Sequence, residues 1–257
     1  MTQYGFYFNQ ARCTACQGCA NACKSWNHLQ PGPEKWMKTF QWEKGAWPNV
    51  RLHKAHVFCY HCENALCIDA CPYQAMYKEP KYGAVLIDSD KCTGCKRCYE
   101  ACPWGAPAFA SDAAGTKATM CTMCIDRLEQ NMLPACVTAC NMRALDFGKL
   151  DDLKKKYGES DQLEDFPDGS KFQPAIIFKK HDAKRKLIPY DENKALTLWK
   201  KRPYSKALGY PEDLNLPDVF DKPTDVTNPP AEIIGRGKLT LKPKNSAELM
   251  YYTTDDE

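Results

Sequence analysis

The stretch Lys91-Cys92-Thr93-Gly94-Cys95-Lys96-Arg97-Cys98-Tyr99-Glu100-Ala101-Cys102-Pro103 decides how the chain folds. Its spacing is C-x2-C-x2-C-x3-C-P, the run that binds cubane iron–sulfur clusters. Three thiolates within seven residues hold one face of a cluster. The fourth, at the start of a helix, points away toward a second one. Proline after it stops the chain folding back over that thiolate.

Three further groups surround this run. Cys13, Cys16, Cys19 and Cys23 repeat its spacing, and Cys59, Cys62, Cys67 and Cys71 repeat it with two extra residues in the middle. Cys121, Cys124, Cys136 and Cys140 form a looser version with an eleven-residue insert. The four groups use all 16 cysteines of the 257-residue chain, so no thiol is left over. Structural zinc draws two cysteines from each of two separated knuckles. Three cysteines in one x2, x2 loop crowd a single ion, although the fourth group alone would pass as a zinc ribbon. Cysteines this close in sequence pair poorly as disulfides, and a chain of this length does not need them. A radical enzyme wants an isolated C-x3-C-x2-C, which is absent. The spacing therefore predicts four [4Fe-4S] clusters.

In a two-cluster module the fourth cysteine of each run serves the other cluster. The second and third groups are neighbours, and both end in Cys-Pro (Cys71-Pro72, Cys102-Pro103), which pairs them. One cluster then takes Cys59, Cys62, Cys67 and Cys102, and the other takes Cys92, Cys95, Cys98 and Cys71. The first and fourth groups lack that proline, with Lys24 and Asn141 in its place, and form the outer pair. There Cys13, Cys16, Cys19 and Cys140 hold one cluster, and Cys121, Cys124, Cys136 and Cys23 hold the other.

A strand, a cysteine loop, a helix and a strand recur four times, which implies an internal repeat. Strands are expected at 4–8, 84–88, 106–110 and 144–148, with helical turns from Cys23 to His28. The fold class expected is α+β: two bacterial-ferredoxin-like modules, rich in loops, with an extended C-terminal arm. Residues 1–56 and 111–150 make the outer module, 57–110 the inner one, and 151–257 a C-terminal extension that contacts a partner subunit. Residues 29–56 hold Trp36, Trp42 and Trp47 among Pro and Gly, and read as an irregular packed cover over a cluster. Asp151 or Asp152 can cap a helix through Lys156, closed by Gly158. Residues 200–257 carry seven of the 18 prolines without sustained periodicity, yet keep Trp199, Tyr204, Leu208, Tyr210, Phe220 and Ile233-Ile234 as apolar anchors. Such a segment lies across a partner more readily than it builds a core.

Composition excludes several classes. The longest aliphatic stretches, Ala84–Ile87 and Ala175–Phe178, fall far short of the roughly 18 residues of a membrane span. Met1-Thr2-Gln3-Tyr4 has no signal-peptide pattern. By itself the chain reads as soluble, cytoplasmic or peripheral to a membrane, and as periplasmic only by co-export with a signal-bearing partner. No basic stripe with interleaved aromatics supports nucleic-acid binding. The net charge of +3 counts cysteine as neutral, whereas sixteen thiolates around four cores of about 2+ each would add roughly −8. Lys24, Lys91, Lys96 and Arg97, interleaved with cysteine, read as local compensation. Lys24, Lys96, Arg97, Tyr99 and Trp104 are the candidates for tuning cluster potentials. His28, His53, His56, His61 and His181 have no catalytic context and read as structural or cluster-adjacent. Gly235-x-Gly237 is too weak for a nucleotide loop. No catalytic constellation appears, and conduction of electrons is the job left.

The chain resembles the four-cluster iron–sulfur subunit of the dimethyl sulfoxide reductase family of molybdopterin oxidoreductases. The residues that carry the likeness are Gln3-Tyr4-Gly5-Phe6, His61-Cys62-Glu63, Cys102-Pro103-Trp104-Gly105-Ala106-Pro107, Cys124-x2-Arg127, Pro134-Ala135-Cys136 and Arg143-Ala144-Leu145-Asp146-Phe147-Gly148. It covers about residues 3–180, including a late strand within Lys171–Lys179. The resemblance implies a large catalytic subunit holding molybdenum or tungsten on bis-pterin, with the cluster of Cys13, Cys16, Cys19 and Cys140 facing it. It implies a membrane anchor, a quinol-linked subunit or a soluble donor at the other end. A free-standing polyferredoxin, or the electron-transfer subunit of a hydrogenase or formate dehydrogenase, is the alternative.

Overall fold

In the computed structural model, short strands and short helices alternate with cysteine-bearing loops, a mixed α/β arrangement of small sheets. The structure describes residues 2–45, 50–181, 191, 193–194, 197 and 239–253. The protein divides into two units, Met1–His181 with Arg236–Glu257, and Asp182–Gly235. Nearly all of the second unit lies outside the described residues, as do Trp47 and the anchors Trp199, Tyr204, Leu208, Tyr210, Phe220, Ile233 and Ile234.

The first strand, β1 (Tyr4–Asn9), leads into the first cysteine group and has four consecutive buried residues. It is the centre of a three-stranded sheet. On one side it pairs antiparallel with β6 (Leu145–Lys149), which leaves the fourth group, in the register Phe6↔Phe147. On the other it runs parallel to β7 (Ile176–Lys179), in the register Phe6↔Ile176. A central strand buried on both faces needs apolar residues at successive positions, which explains the run Phe6-Tyr7-Phe8. Gly5 is required by close approach, because a Cβ there would strike the carbonyl of Ala175.

A second small pair joins β4 (Met76–Lys78), leaving the second group, to β5 (Val85–Ile87), entering the third. Between the third and fourth groups the 106–110 strand is reduced to a single bridge, Ala108↔Thr119. Helices follow the same pairing. The first, α1 (Gly18–Trp26), packs on α5 (Ala135–Thr138), while α2 (Leu66–Asp69) packs on α3 (Arg97–Ala101). Helix α4 (Ile125–Leu128) follows Cys124.

Two expectations about local structure are corrected. Residues 29–56 are not irregular throughout: β2 (Lys38–Lys44) and β3 (Arg51–Val57) form an antiparallel hairpin in the register Lys38↔Val57. Trp36 and Trp42 do serve as packing there, Trp42 being almost fully buried with its Nε1–H donated to Asp165 Oδ2 at 3.0 Å. The helix after the fourth group, α6 (Leu150–Tyr157), starts before Asp151, with Lys149 at its N-cap and no side-chain cap. Asp151 and Asp152 instead sit in the first turn, where their charge suits the helix dipole. Gly158, with φ +82, ends it as expected.

Residues 239–253 return to the cysteine-bearing unit. Leu241 is buried there, and α7 (Ser246–Tyr252) is capped by Asn245, whose Oδ1 accepts from the Glu248 N–H. The Lys35 ammonium, fully buried, donates to Thr253 O at 2.8 Å and to its Oγ1 at 3.1 Å.

Candidate metal centres

One loop geometry recurs at the cysteines. The residue two after each leading cysteine has a left-handed backbone: Ala15 (φ 55), His61 (φ 46), Gly94 (φ 73) and Met123 (φ 58). That turn aims its N–H back at the leading sulfur, at 3.3 Å from Ala15 to Cys13, 3.4 Å from His61 to Cys59 and 3.4 Å from Met123 to Cys121. The last cysteines share a second turn. The N–H four residues on reaches Sγ of Cys71, Cys102 and Cys140 at 3.3, 3.4 and 3.2 Å. At Cys23 the helix runs on instead, so the Asn27 N–H bonds the Cys23 carbonyl and its side-chain Nδ2 takes over at 3.6 Å from Sγ.

Electrostatics sorts the thiols into four sets. Cys19 is pushed up to about 12, first by burial and then by the charges of Cys13, Cys140 and Cys16. Burial also raises Cys13, against the Ala15 N–H and the Lys54 ammonium, with Cys140 and Cys16 adding repulsion. Burial carries Cys136 well up, with Cys121, Cys23 and Cys124 next. Those four thiols line one small cavity with Phe6, Trp36 and Phe58. Cys62 and Cys67 are each pushed up to about 12 by burial, and Cys102 is the next cause for both. Burial raises Cys98 to about 12, with Cys92, Cys95 and Cys71 contributing. Cys71, Cys92, Cys95 and Cys98 also line a shared cavity. Cys71 alone is lowered: burial acts upward on it, but the backbone N–H groups of Ala75, Tyr73, Met76 and Gln74 outweigh it.

Each set also feels a neighbour. Cys19 acts on Cys136, Cys121 on Cys59, and Cys98 on Cys67. These three links put the sets in a row. The terminal sets each show an exposed thiol, Cys16 at one end and Cys95 at the other.

The donor chemistry suits iron–sulfur clusters. Every set offers four thiols and no oxygen ligand, and N–H groups converge on the sulfurs, as polynuclear thiolate sites require. No group of three His, Cys, Asp or Glu side chains that could hold one metal ion occurs among the described residues. Buried thiols this far raised resist ionisation unless a metal takes the charge.

The tuning candidates fall in different places. Trp104 is buried two residues after Cys102, edge-on to Tyr60 and Phe172. Lys96 reaches Asp112 O at 3.3 Å, over the Phe109 ring. Arg97 is exposed at the start of α3, and Lys24 is half-buried in the last turn of α1. The ammonium groups nearest the thiols are others. Lys54 donates to Cys13 O at 3.0 Å and Lys78 to Cys62 O at 2.8 Å. Lys38, fully buried, donates to Gly105 O at 2.6 Å. Burial lowers it to about 8, against the pull of the Cys102 charge. Sequence spacing could not reveal Lys38 and Lys54, because the β2–β3 hairpin brings them to the cysteines from a distance. Of the histidines, His56 and His61 lie against the cysteine loops, and burial lowers them to about 4 and about 3.

This is a protein built around iron–sulfur clusters, in which most of the chain serves to position sulfur. A family model described as a 4Fe-4S dicluster domain matches residues 53–150. The iron–sulfur subunit of anaerobic dimethyl sulfoxide reductase from Escherichia coli (strain K12) is 37% identical over 186 residues, 69% of this chain and 89% of that one. The corresponding Haemophilus influenzae protein is 35% identical over 70% of this chain and 90% of its own. A sulfite dehydrogenase subunit of Allochromatium vinosum is 35% identical over 59% and 71%. The protein described here belongs to the family of dimethyl sulfoxide reductase iron–sulfur subunits. It is an electron-transfer subunit and not a catalyst on its own. Among the described residues no helix is long and apolar enough to cross a membrane.

Proposed function

We propose that the chain is a four-cluster conduit serving a large subunit that holds molybdenum or tungsten on bis-pterin. The relatives are named as parts of dimethyl sulfoxide reductase and sulfite dehydrogenase, which supports such a partner. [4Fe-4S] clusters supply one-electron redox chemistry over a wide range of potentials. The ligand sets are Cys13, Cys16, Cys19 and Cys140; Cys121, Cys124, Cys136 and Cys23; Cys59, Cys62, Cys67 and Cys102; and Cys92, Cys95, Cys98 and Cys71. The observation that carries this reading is the mutual charge interaction of thiols from different loops, such as Cys140 with Cys19 and Cys102 with Cys62.

Two ferredoxin-like modules follow from these crossovers. The outer one spans 1–56 and 111–150 and the inner one 57–110; strand pairing of β1 with β6 and of β4 with β5 supports them. The extension over 151–257 contacts the partner. Electrons follow the row of sets, entering at the Cys95 end from a membrane anchor or a soluble donor. They leave at the Cys16 end toward the pterin subunit. In between, the protein's side chains bury each set, exclude water and hold N–H groups on sulfur. The complex lies peripheral to a membrane or in the cytoplasm, or reaches the periplasm by co-export.

Purification of the untagged complex with metal analysis tests the function. About sixteen iron atoms per chain are expected, with molybdenum or tungsten in a co-eluting large subunit. Iron without any large partner would overturn it. Cys102→Ser tests the pairing: it should damage the cluster of Cys59, Cys62 and Cys67 and spare that of Cys92, Cys95 and Cys98.

A further inference from the structure

His56 stands on β3, distant in sequence from the first cysteine group, yet its ring edge lies on that group's sulfurs. Nε2 is 3.2 Å from Cys13 Sγ and 3.8 Å from Cys19 Sγ, while Nδ1 is 3.1 Å from Thr39 Oγ1. All four residues are buried. The pair Thr39↔His56 is opposed across the β2–β3 hairpin, so two neighbouring strands hold the two side chains together. Phe8 meets the ring edge-on, and the His56 carbonyl accepts the Tyr60 hydroxyl at 2.7 Å, which fixes the backbone from the other side.

The direction of each bond follows from the chemistry. A ligating thiolate has only lone pairs to offer, so the nitrogen facing Cys13 must carry the hydrogen. Nδ1 of a neutral ring is then an acceptor, and the Thr39 hydroxyl is its donor. Thr39 thereby selects the tautomer that points N–H at sulfur, as partners of metal-site histidines do. Cys59 and Cys121 accept the same backbone bond as Cys13, and the imidazole is an addition at Cys13 among the described hydrogen bonds.

Resting on the four-thiol sets proposed above, we propose that His56 raises the reduction potential of the cluster at Cys13, Cys16, Cys19 and Cys140 through an Nε2–H···Sγ bond to Cys13. Thr39 is the positioning residue that orients the donor. Reduction adds negative charge that spreads onto the ligating sulfurs, so a donor to sulfur stabilises the reduced form more than the oxidised one. This terminal set then holds an arriving electron more firmly than backbone bonds alone would allow. At the end of the row, such a set collects electrons for transfer out of the protein.

Potentiometric titration of the purified complex, followed by electron paramagnetic resonance, tests the proposal without an activity assay. In His56→Leu, one of the reduction steps should move to lower potential while the others stay. His56→Gln, whose amide can still donate, should recover part of the shift. Thr39→Val keeps the ring and the packing, and should give a smaller shift in the same direction. The step that moves must be the one altered in Cys16→Ser. An unmoved step, or movement of a different one, would overturn the proposal. If His56→Leu fails to assemble this cluster, Thr39→Val decides, and an unshifted potential there would overturn it. If Cys16→Ser alters no step at all, the four-thiol set itself is wrong, a separate failure.

Discussion

Ala15, His61 and Met123 each hold a left-handed backbone that costs a non-glycine residue about 1 kcal/mol or more. The return is an N–H placed on a ligand sulfur. Only at Gly94 does the sequence announce that conformation; Cys-Thr-Ala-Cys, Cys-Tyr-His-Cys and Cys-Thr-Met-Cys conceal it. The cysteine positions were therefore legible from spacing alone, while the strained turns between them were not, since their driving force is a sulfur bond that propensity does not register. Asn27 was equally hidden: its amide replaces a backbone donor that exists only where the helix stops early. Gly5 makes the residue-scale prediction. Its missing Cβ leaves room for the Ala175 carbonyl, a backbone atom that cannot yield without opening β1 from β7. Gly5→Ala should lower stability by about 2 kcal/mol or more, read as a drop in the thermal midpoint of the iron-loaded protein. An unchanged midpoint would show that the sheet can shift.

Among the elements, the β2–β3 hairpin escaped sequence reading for a specific reason. Lys35 and Lys38 are fully buried, where a lysine is normally a solvent-facing residue. Read as exposed, they break the alternation that would have announced a strand. Strands β1 and β6 were readable because their apolar runs adjoin cysteine groups. Lys35 also ties the first part of the protein to its last described turn. Lys35→Ala removes the donor to the Thr253 carbonyl and leaves that oxygen buried. The expected cost is about 1–3 kcal/mol, and residues 239–253 should be cleaved faster in limited proteolysis. Equal cleavage rates in the two proteins would show that Leu241 and α7 hold the segment without Lys35.

For the molecule as a whole, the sulfur charges set the response to pH. Thiols such as Cys19, Cys62, Cys67 and Cys98 are raised to about 12 in the metal-free fold. Ligated sulfur carries no proton, so the iron-free form holds more protons than the loaded one at neutral pH. Loading releases protons, and its free energy becomes more favourable as pH rises toward about 12. Iron loss to a chelator should thus accelerate as pH is lowered from about 9 toward about 6; a rate independent of pH would contradict the linkage. Removing iron should also unfold residues 10–145, which lack the apolar mass to fix these loops unaided. A cooperative melt without iron would refute this. The family and the four groups were readable at this scale, whereas the row in which the sets touch needed the folded protein. That row ends in two exposed thiols, Cys16 and Cys95, with more deeply buried sets between them. The same openness that admits electrons also admits oxygen. On brief contact with air, corrosion should begin at both ends and spare the middle, so a damaged molecule keeps its interior clusters after it has lost the contacts that connect them to anything else.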